Sequence, residues 1–354
     1  MSNILNEDTL YLEDAGIIMV KGSTGFFEPV AYDIDAETGS GKEITKGDFF
    51  YDFLMFIKFS ERKKITSGKK MGQYRDGFAE IYQYLYAFKA LEITGRMDAE
   101  RLIGVFSRQA GKSWIARKVI AFLLIFYAHH FDLGIHDRFF VTFANLKKEL
   151  VESQLLLLLP EIRKAIECYN LLYPDMYIEW GETPKTLKKG RKLMNNKSVI
   201  HFNRVANGIS YPYSQMDILS LNNSVISAGL SSHVLYVDEA QNISYEWVSK
   251  QAVPFLASTS GVLLSTGTAN SSPDSALYNY FKSDAIPDSN KIILDWEKIY
   301  DYKKNISNAH ADKYKRTVDS EIREKGLYSK TIQTEWYCNF NMNTDSFITR
   351  EEMR

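Results

Sequence analysis

Cysteine is scarce in this sequence. The two present, Cys168 and Cys338, lie in opposite halves of the chain and neither belongs to a CxxC pair. That usage excludes a disulfide framework and a cysteine-based zinc site, and it fits a reducing compartment. Long apolar runs are also lacking. The longest, Val119–Ala128, is ten residues, whereas a membrane-spanning helix needs about 20. The opening MSNILNEDTL is polar and acidic, unlike the basic and apolar start of a signal peptide. No sign of charge dominates, since 43 Lys and Arg face 44 Asp and Glu for a net charge of −1. Any contact with nucleic acid must therefore come from a local basic patch and not from the field of the whole molecule. What is present is ordinary for a globular chain: 354 residues, 45% hydrophobic and 25% charged. This length suffices for one large domain or two smaller ones. The expectation is a soluble, intracellular protein.

The first hundred residues are aromatic-rich and mixed in pattern, with a Gly/Asp-rich stretch (DAETGSGKE, 35–43) that reads as a turn. From about residue 101 short β-prone apolar runs alternate with helical stretches. Leu102–Phe106, Phe139–Phe143, Ser198–Phe202, Val234–Val237, Val262–Ser265 and Lys291–Leu294 read as strands. Ser113–Ala128, Asn145–Tyr169 and Tyr245–Leu256 read as helices. This alternation predicts an α/β fold with a mostly parallel central sheet. No internal repeat is visible. Residues 181–197 (GETPKTLKKGRKLMNNK) carry five Lys and one Arg with few apolar positions, and read as an exposed loop or insertion.

The segment LIGVFSRQAGKSWIARKVIAF (102–122) has the layout of a P-loop: an apolar strand, a tight turn, then a helix. Backbone N–H groups of such a loop, with a helix N-terminus behind them, form a nest for phosphate oxygens. Gly111 allows close backbone approach, Lys112 supplies charge to the β- and γ-phosphates, and the Ser113 hydroxyl suits magnesium. The usual first glycine is replaced by Phe106. A second match, AETGSGK (36–42), has Glu43 where the hydroxyl should stand and no clean apolar strand before it. It reads as a turn.

A second apolar run, HVLYVDEAQ (233–241), ends in two carboxylates. At the carboxyl end of a buried strand they would sit where open α/β sheets bind ligands. Asp238 would hold magnesium and Glu239 would orient or deprotonate the attacking water. A third run, GVLLSTGTAN (261–270), ends in small hydroxyl residues and a glycine. Thr266 and Thr268 could sense a γ-phosphate, and a plain Ser/Thr/Gly turn accounts for the same residues equally well. His129 and His130 close a helix, where positive charge would complement the dipole. No other histidine stands at ligand spacing, so no transition metal is assigned.

SRQAGKS (107–113), LYVDEA (235–240) and STGTA (265–269) together resemble the ATPase domain of large terminase subunits, the DNA-packaging motors of tailed bacteriophages. The likeness covers roughly residues 75–345 and is specific in its three motifs. It implies a RecA-like P-loop NTPase that binds ATP and Mg²⁺ through Ser107, Arg108, Gln109, Ala110, Gly111, Lys112 and Ser113. Arg108 would stabilise charge at the γ-phosphate and Glu239 would be the catalytic glutamate. Thr266, Gly267 and Thr268 would couple hydrolysis to movement. IYQYLYAF (81–88) resembles the family's adenine-contacting segment, which makes Gln83 the adenine reader, with Gln73 a weaker candidate. QTEWYCNF (333–340) resembles the close of the ATPase domain.

The same resemblance implies double-stranded DNA, a portal protein, a small terminase subunit and self-association into a ring as partners, in the cytoplasm of an infected bacterial host. The expected organisation is an N-terminal extension (1–74), a P-loop core (75–280), a small C-terminal lid (281–345) and the start of a linker (346–354). No nuclease activity is expected from this chain. Lys185–Arg191 could touch DNA phosphates, although a solvated lysine-rich loop is the favoured reading of it. DEAQ and STGTA are also similar to motifs of superfamily-two helicases, but those need a second RecA-like domain, and too few residues follow Ala240 to build one. A nucleotide-binding scaffold without turnover is the remaining alternative.

Overall fold

The structure, a computed structural model, describes residues 2–6, 9–12, 16–22, 27–32, 34, 41–67, 71, 73–133, 138–146, 148–180, 198–220, 231–270 and 272–340. Residues 36–40 of AETGSGK, the basic segment 181–197 with Lys185–Arg191, and residues 346–354 lie outside them.

The chain opens with a five-stranded antiparallel sheet in sequence order: β1 (Ser2–Asn6), β2 (Thr9–Leu12), β3 (Ile17–Lys21), β4 (Phe27–Tyr32) and β5 (Lys42–Glu43). The Lys42 of the second P-loop-like match thus lies in an edge strand and opens no helix. Next comes α1 (Phe49–Ser60), whose N-cap Asp48 accepts the Tyr51 N–H at 2.6 Å. A short hairpin of β6 (Lys63–Lys64) and β7 (Tyr74–Arg75) leads to α2 (Ile81–Arg96).

The central sheet is built from β8 (Arg101–Phe106), β9 (Phe139–Asn145), β10 (Met176–Trp180), β11 (Ser198–Ala206), β12 (Ile209–Ser220), β13 (Val234–Val237), β14 (Val262–Gly267) and β15 (Lys291–Leu294). Their order is β10-β11-β12-β9-β13-β14-β8-β15. The pairs from β12 to β15 are all parallel, and only β10–β11 and β11–β12 are antiparallel. The helices between and after them are α3 (Lys112–His130), α4 (Lys148–Leu172), α5 (Tyr245–Trp247), α6 (Ala276–Lys282), α7 (Trp296–Ile306), α8 (Asn308–Lys325) and α9 (Lys330–Glu335).

Alternation along the inner strands sorts side chains between two cores. Leu102, Phe106, Val234, Tyr236, Val262 and Leu264 join one with α1 to α4. Ile103, Val105, Leu235, Val237 and Leu263 join the other with α6 and the turns after β13. Helical layers therefore cover both faces, which is why these strands read as unbroken apolar runs and not as alternating ones. The larger core runs without a break from Leu10 of β2 to Trp336.

Two helix expectations change in detail. Asn145 does not begin a helix but closes β9, and α4 starts at Lys148. Tyr245–Leu256 is not one regular helix: α5 is followed by a π-turn at Val248–Ala252 and a 3-10 turn at Val253–Leu256. Pro254 lacks the N–H that a continuing α-helix would use there.

One charge is sealed inside the helical layer. Lys118 of α3 is fully buried, with its ammonium on Glu61, on Glu161 of α4 and, at 2.9 Å, on the Ser60 hydroxyl of α1. At the end of the same helix, burial and the neighbouring His130 push the His129 imidazole below its ordinary value. A positive charge is therefore disfavoured at His129, against the expectation for that helix end. His129 accepts instead from, or donates to, the Tyr169 hydroxyl at 3.1 Å.

Candidate functional site

Because β8, β14, β13 and β9 are parallel neighbours, their carboxyl ends open on one edge. The loop 107–111 leaves β8 there, Thr266–Thr268 ends β14, Asp238–Glu239 follows β13, and Asn145 ends β9. β14 lies between β8 and β13, so the hydroxyl residues stand between the lysine loop and the carboxylates.

The loop turns tightly through Gln109 (φ 59) and Gly111 (φ 73) before α3 starts at Lys112. A Cβ on Gly111 would stand 2.5 Å from Gln83 Nε2, and the left-handed backbone also favours glycine. Gln83 is thus buried against the loop, its other amide atom accepting the Glu80 N–H at 2.9 Å. Ala110 is buried, and Ser113 lies half-buried in the first turn of α3. The first N–H groups of a helix lack intrahelical partners, so this turn offers donors as well as the lysine.

The Lys112 ammonium meets Glu239 Oε1 at 2.7 Å and lies 3.4 Å from the Thr268 hydroxyl. It is 14% exposed and Glu239 is 30% exposed, so both reach solvent and a ligand. Asp238 is buried. Its Oδ1 accepts the Tyr236 hydroxyl at 3.2 Å and has the Thr266 hydroxyl at 3.4 Å, while Oδ2 has the Asn145 amide at 3.4 Å. Burial, then the charge of Glu239, raises the Asp238 carboxyl above the ordinary range, with Lys112 opposing. Glu239 itself has a left-handed backbone, φ 53 and ψ 44. Such a conformation costs a non-glycine residue about 1–3 kcal/mol and is concentrated at functional sites.

Two predicted residues turn elsewhere. Ser107 Oγ is 2.9 Å from the Tyr314 hydroxyl of α8. Arg108, 52% exposed, pairs with Glu335 of α9 at 2.8 Å and donates its backbone N–H to the Glu335 carbonyl at 2.7 Å. Gln73 is exposed beside β7, where its carbonyl accepts the Ile65 N–H. Sequence reasoning missed Tyr236, Asn145, Gln241, Tyr314 and Glu335. Gln241 was in view within DEAQ; Tyr314 and Glu335 lie too far along the chain for local pattern to join them to the loop.

Chemically, the edge gathers an ammonium, helix N–H donors, two adjacent carboxylates and small hydroxyls. That set suits a phosphorylated anion together with a hard cation. Among the described residues no group of three or more His, Cys, Asp or Glu side chains could hold a metal, and no helix is long and apolar enough to cross a membrane.

No family model matches the sequence, and no curated protein does. Solved structures do. The large terminase ATPase domain of Thermus phage P74-26 is similar with TM-score 0.46 and 15% identity, over 71% of this chain and 92% of that one. The large terminase of bacteriophage HK97 gives TM-score 0.43 and 11% identity, over 82% of this chain and 55% of that one. A large terminase from a thermophilic bacteriophage, in complex with ADP, gives TM-score 0.42 and 10% identity, over 73% and 53%. The chain spans about half the length of these last two proteins. Solved structures to which this chain is similar thus include large terminases and their ATPase domains from several phages.

Proposed function

We propose that this chain is a magnesium-dependent ATPase and the motor domain of a large terminase that drives double-stranded DNA into a procapsid. The observation that carries the chemistry is the convergence of Lys112, Asp238–Glu239 and Thr266–Thr268 at the ends of three adjacent parallel strands. The DNA, the portal, the small terminase partner and the ring rest on the motif resemblance alone, as do the domain boundaries near residues 74, 280 and 345.

In this reading the loop 107–113 wraps the phosphates, Lys112 leaves Glu239 for the β- and γ-phosphates, and Arg108 exchanges Glu335 for the γ-phosphate. Gln83, already against Gly111, reads the adenine edge. Glu239, once released, aligns and deprotonates the attacking water. Asp238 and Ser113 fit a magnesium ion, because Mg²⁺ takes one or two protein oxygens and completes its shell with water and phosphate. A buried carboxyl crowded by a second one is also relieved by a dication. Bound there, the ion would neutralise charge on the transferred phosphoryl group.

The test is ATP turnover by the purified chain with magnesium or with excess EDTA, over a range of protein concentrations. Turnover that needs magnesium, with a rate per subunit that climbs with concentration, supports both the site and catalysis completed between neighbours. Turnover indifferent to EDTA would contradict the metal assignment.

A further inference from the structure

We propose that Gln241 is a positioning residue that holds the catalytic carboxylate and ties it to the end of β14; the proposal rests on the ATPase reading of this site. The Gln241 amide nitrogen donates to Glu239 Oε2, while Lys112 occupies Glu239 Oε1 at 2.7 Å. Each oxygen of the carboxylate therefore has its own partner, which fixes the side chain in direction as well as place. The Gln241 amide oxygen accepts the Thr268 backbone N–H at 3.2 Å, and its backbone carbonyl accepts the Asn270 side-chain amide at 2.6 Å.

A single planar amide thus joins the loop after β13 to the loop after β14. Its orientation is dictated by both partners. Turned over, it would set NH₂ against an N–H and its oxygen against a carboxylate. Space for it is built into the neighbouring strand: a Cβ on Gly267 would stand 2.3 Å from Gln241 Oε1 and 2.7 Å from Leu277 Cδ2. Glycine at 267 leaves that volume to the amide. Because Thr268 also lies 3.4 Å from the Lys112 ammonium, a shift of the β14 loop when Lys112 engages phosphate is transmitted through Gln241 to Glu239. Only a side chain that donates at one atom and accepts at the next can carry both bonds.

The experiment uses the full chain and compares wild type, Gln241→Met, Gln241→Glu and Glu239→Gln in steady-state ATP hydrolysis. Equilibrium binding of a fluorescent ATP analogue and thermal unfolding are measured beside it. Methionine keeps the length and packing of glutamine without its hydrogen bonds, and glutamate keeps the shape and an oxygen for Thr268 but loses the donor. The expected result is a fall in kcat of at least about tenfold in both Gln241 variants, with analogue binding held within about threefold of wild type. Such a split is not what lost packing produces. Wild-type kcat in Gln241→Met, or binding weakened as much as turnover, would overturn the positioning role while leaving the ATPase reading in place. Should Gln241→Met fail to fold, Gln241→Glu decides the matter by the same two criteria. Wild-type protein without turnover, or Glu239→Gln as active as wild type, would remove the ATPase reading and this inference with it.

Discussion

Asp238 is held at the end of β13 by two neighbours that a local motif does not reveal. Tyr236, two residues back on the same face of the strand, donates to it, and Thr266 reaches it from β14. The two hydroxyls also lie 2.7 Å apart. Tyr236→Phe removes one bond to a carboxylate without opening a cavity. It should cost about 1–3 kcal/mol in urea unfolding, and an unchanged midpoint would show that the contact contributes nothing. His129 carries a sign that can be tested. Its folded-state value is depressed below 6.5 by burial, so the unfolded chain binds the proton more readily. Stability should therefore fall as pH drops below about 6.5 and be unaffected by this group above it. His129→Gln should flatten part of that slope in melts between about pH 5 and 8; a wild-type slope in the variant would contradict the sign. At this scale the chemistry-bearing residues Lys112, Asp238 and Glu239 were legible, because phosphate loops and strand-end acids leave local patterns. Asn145 beside Asp238 and Tyr314 beside Ser107 were not, since those contacts cross the sheet or reach the C-terminal helices.

The elements divide along the same line. Val234–Val237 and Lys291–Leu294 match the expected strands at both ends; the first is buried throughout, as an unbroken apolar run covered on both faces should be. The antiparallel edge of the sheet was overlooked although its signal was present. Asn207 and Gly208, with φ of 51 and 75, form the two-residue turn between β11 and β12, and Ala206 pairs with Ile209 across it. Asn-Gly is the dipeptide that such hairpin turns favour. No pattern announces the Lys118 network, because a lone lysine in an apolar helix is placed only by what packs around it. Removing that ammonium leaves Glu61 and Glu161 facing each other inside the α1–α3–α4 layer. Lys118→Ala should cost about 3–5 kcal/mol, as expected when one partner of a buried ionic cluster is lost. A loss below about 1 kcal/mol would mean that the carboxylates find water easily.

Over the whole molecule, the N-terminal sheet, the central sheet and the C-terminal helices share one packed interior. Phe49 of α1 packs on Phe122 of α3 at 5.1 Å, and Trp336 closes the same core. Glu80, before α2, binds Lys303 of α7 at 2.6 Å and His310 of α8 at 3.0 Å. The loop 107–108 is bonded to β15, α8 and α9 together. None of these regions can melt without exposing apolar surface that the others bury. Calorimetry should therefore record one main transition, and a separate early melt of the N-terminal region would contradict the shared core. Composition and motifs foretold the α/β class and the sheet edge at which Lys112, Asp238 and Glu239 meet. They did not foretell the N-terminal antiparallel sheet, whose short strands carry too weak a pattern to stand out from an aromatic-rich background.

The central claim is that Lys112 and Glu239 belong to one ATP-hydrolysing site. Its most direct test is steady-state ATP turnover by wild type, Lys112→Ala and Glu239→Ala, with nucleotide binding measured on the same preparations. The account predicts that both substitutions lower turnover by about 100-fold or more, that Lys112→Ala also weakens binding, and that Glu239→Ala binds ATP as wild type does. Turnover in either variant equal to that of wild type would contradict it.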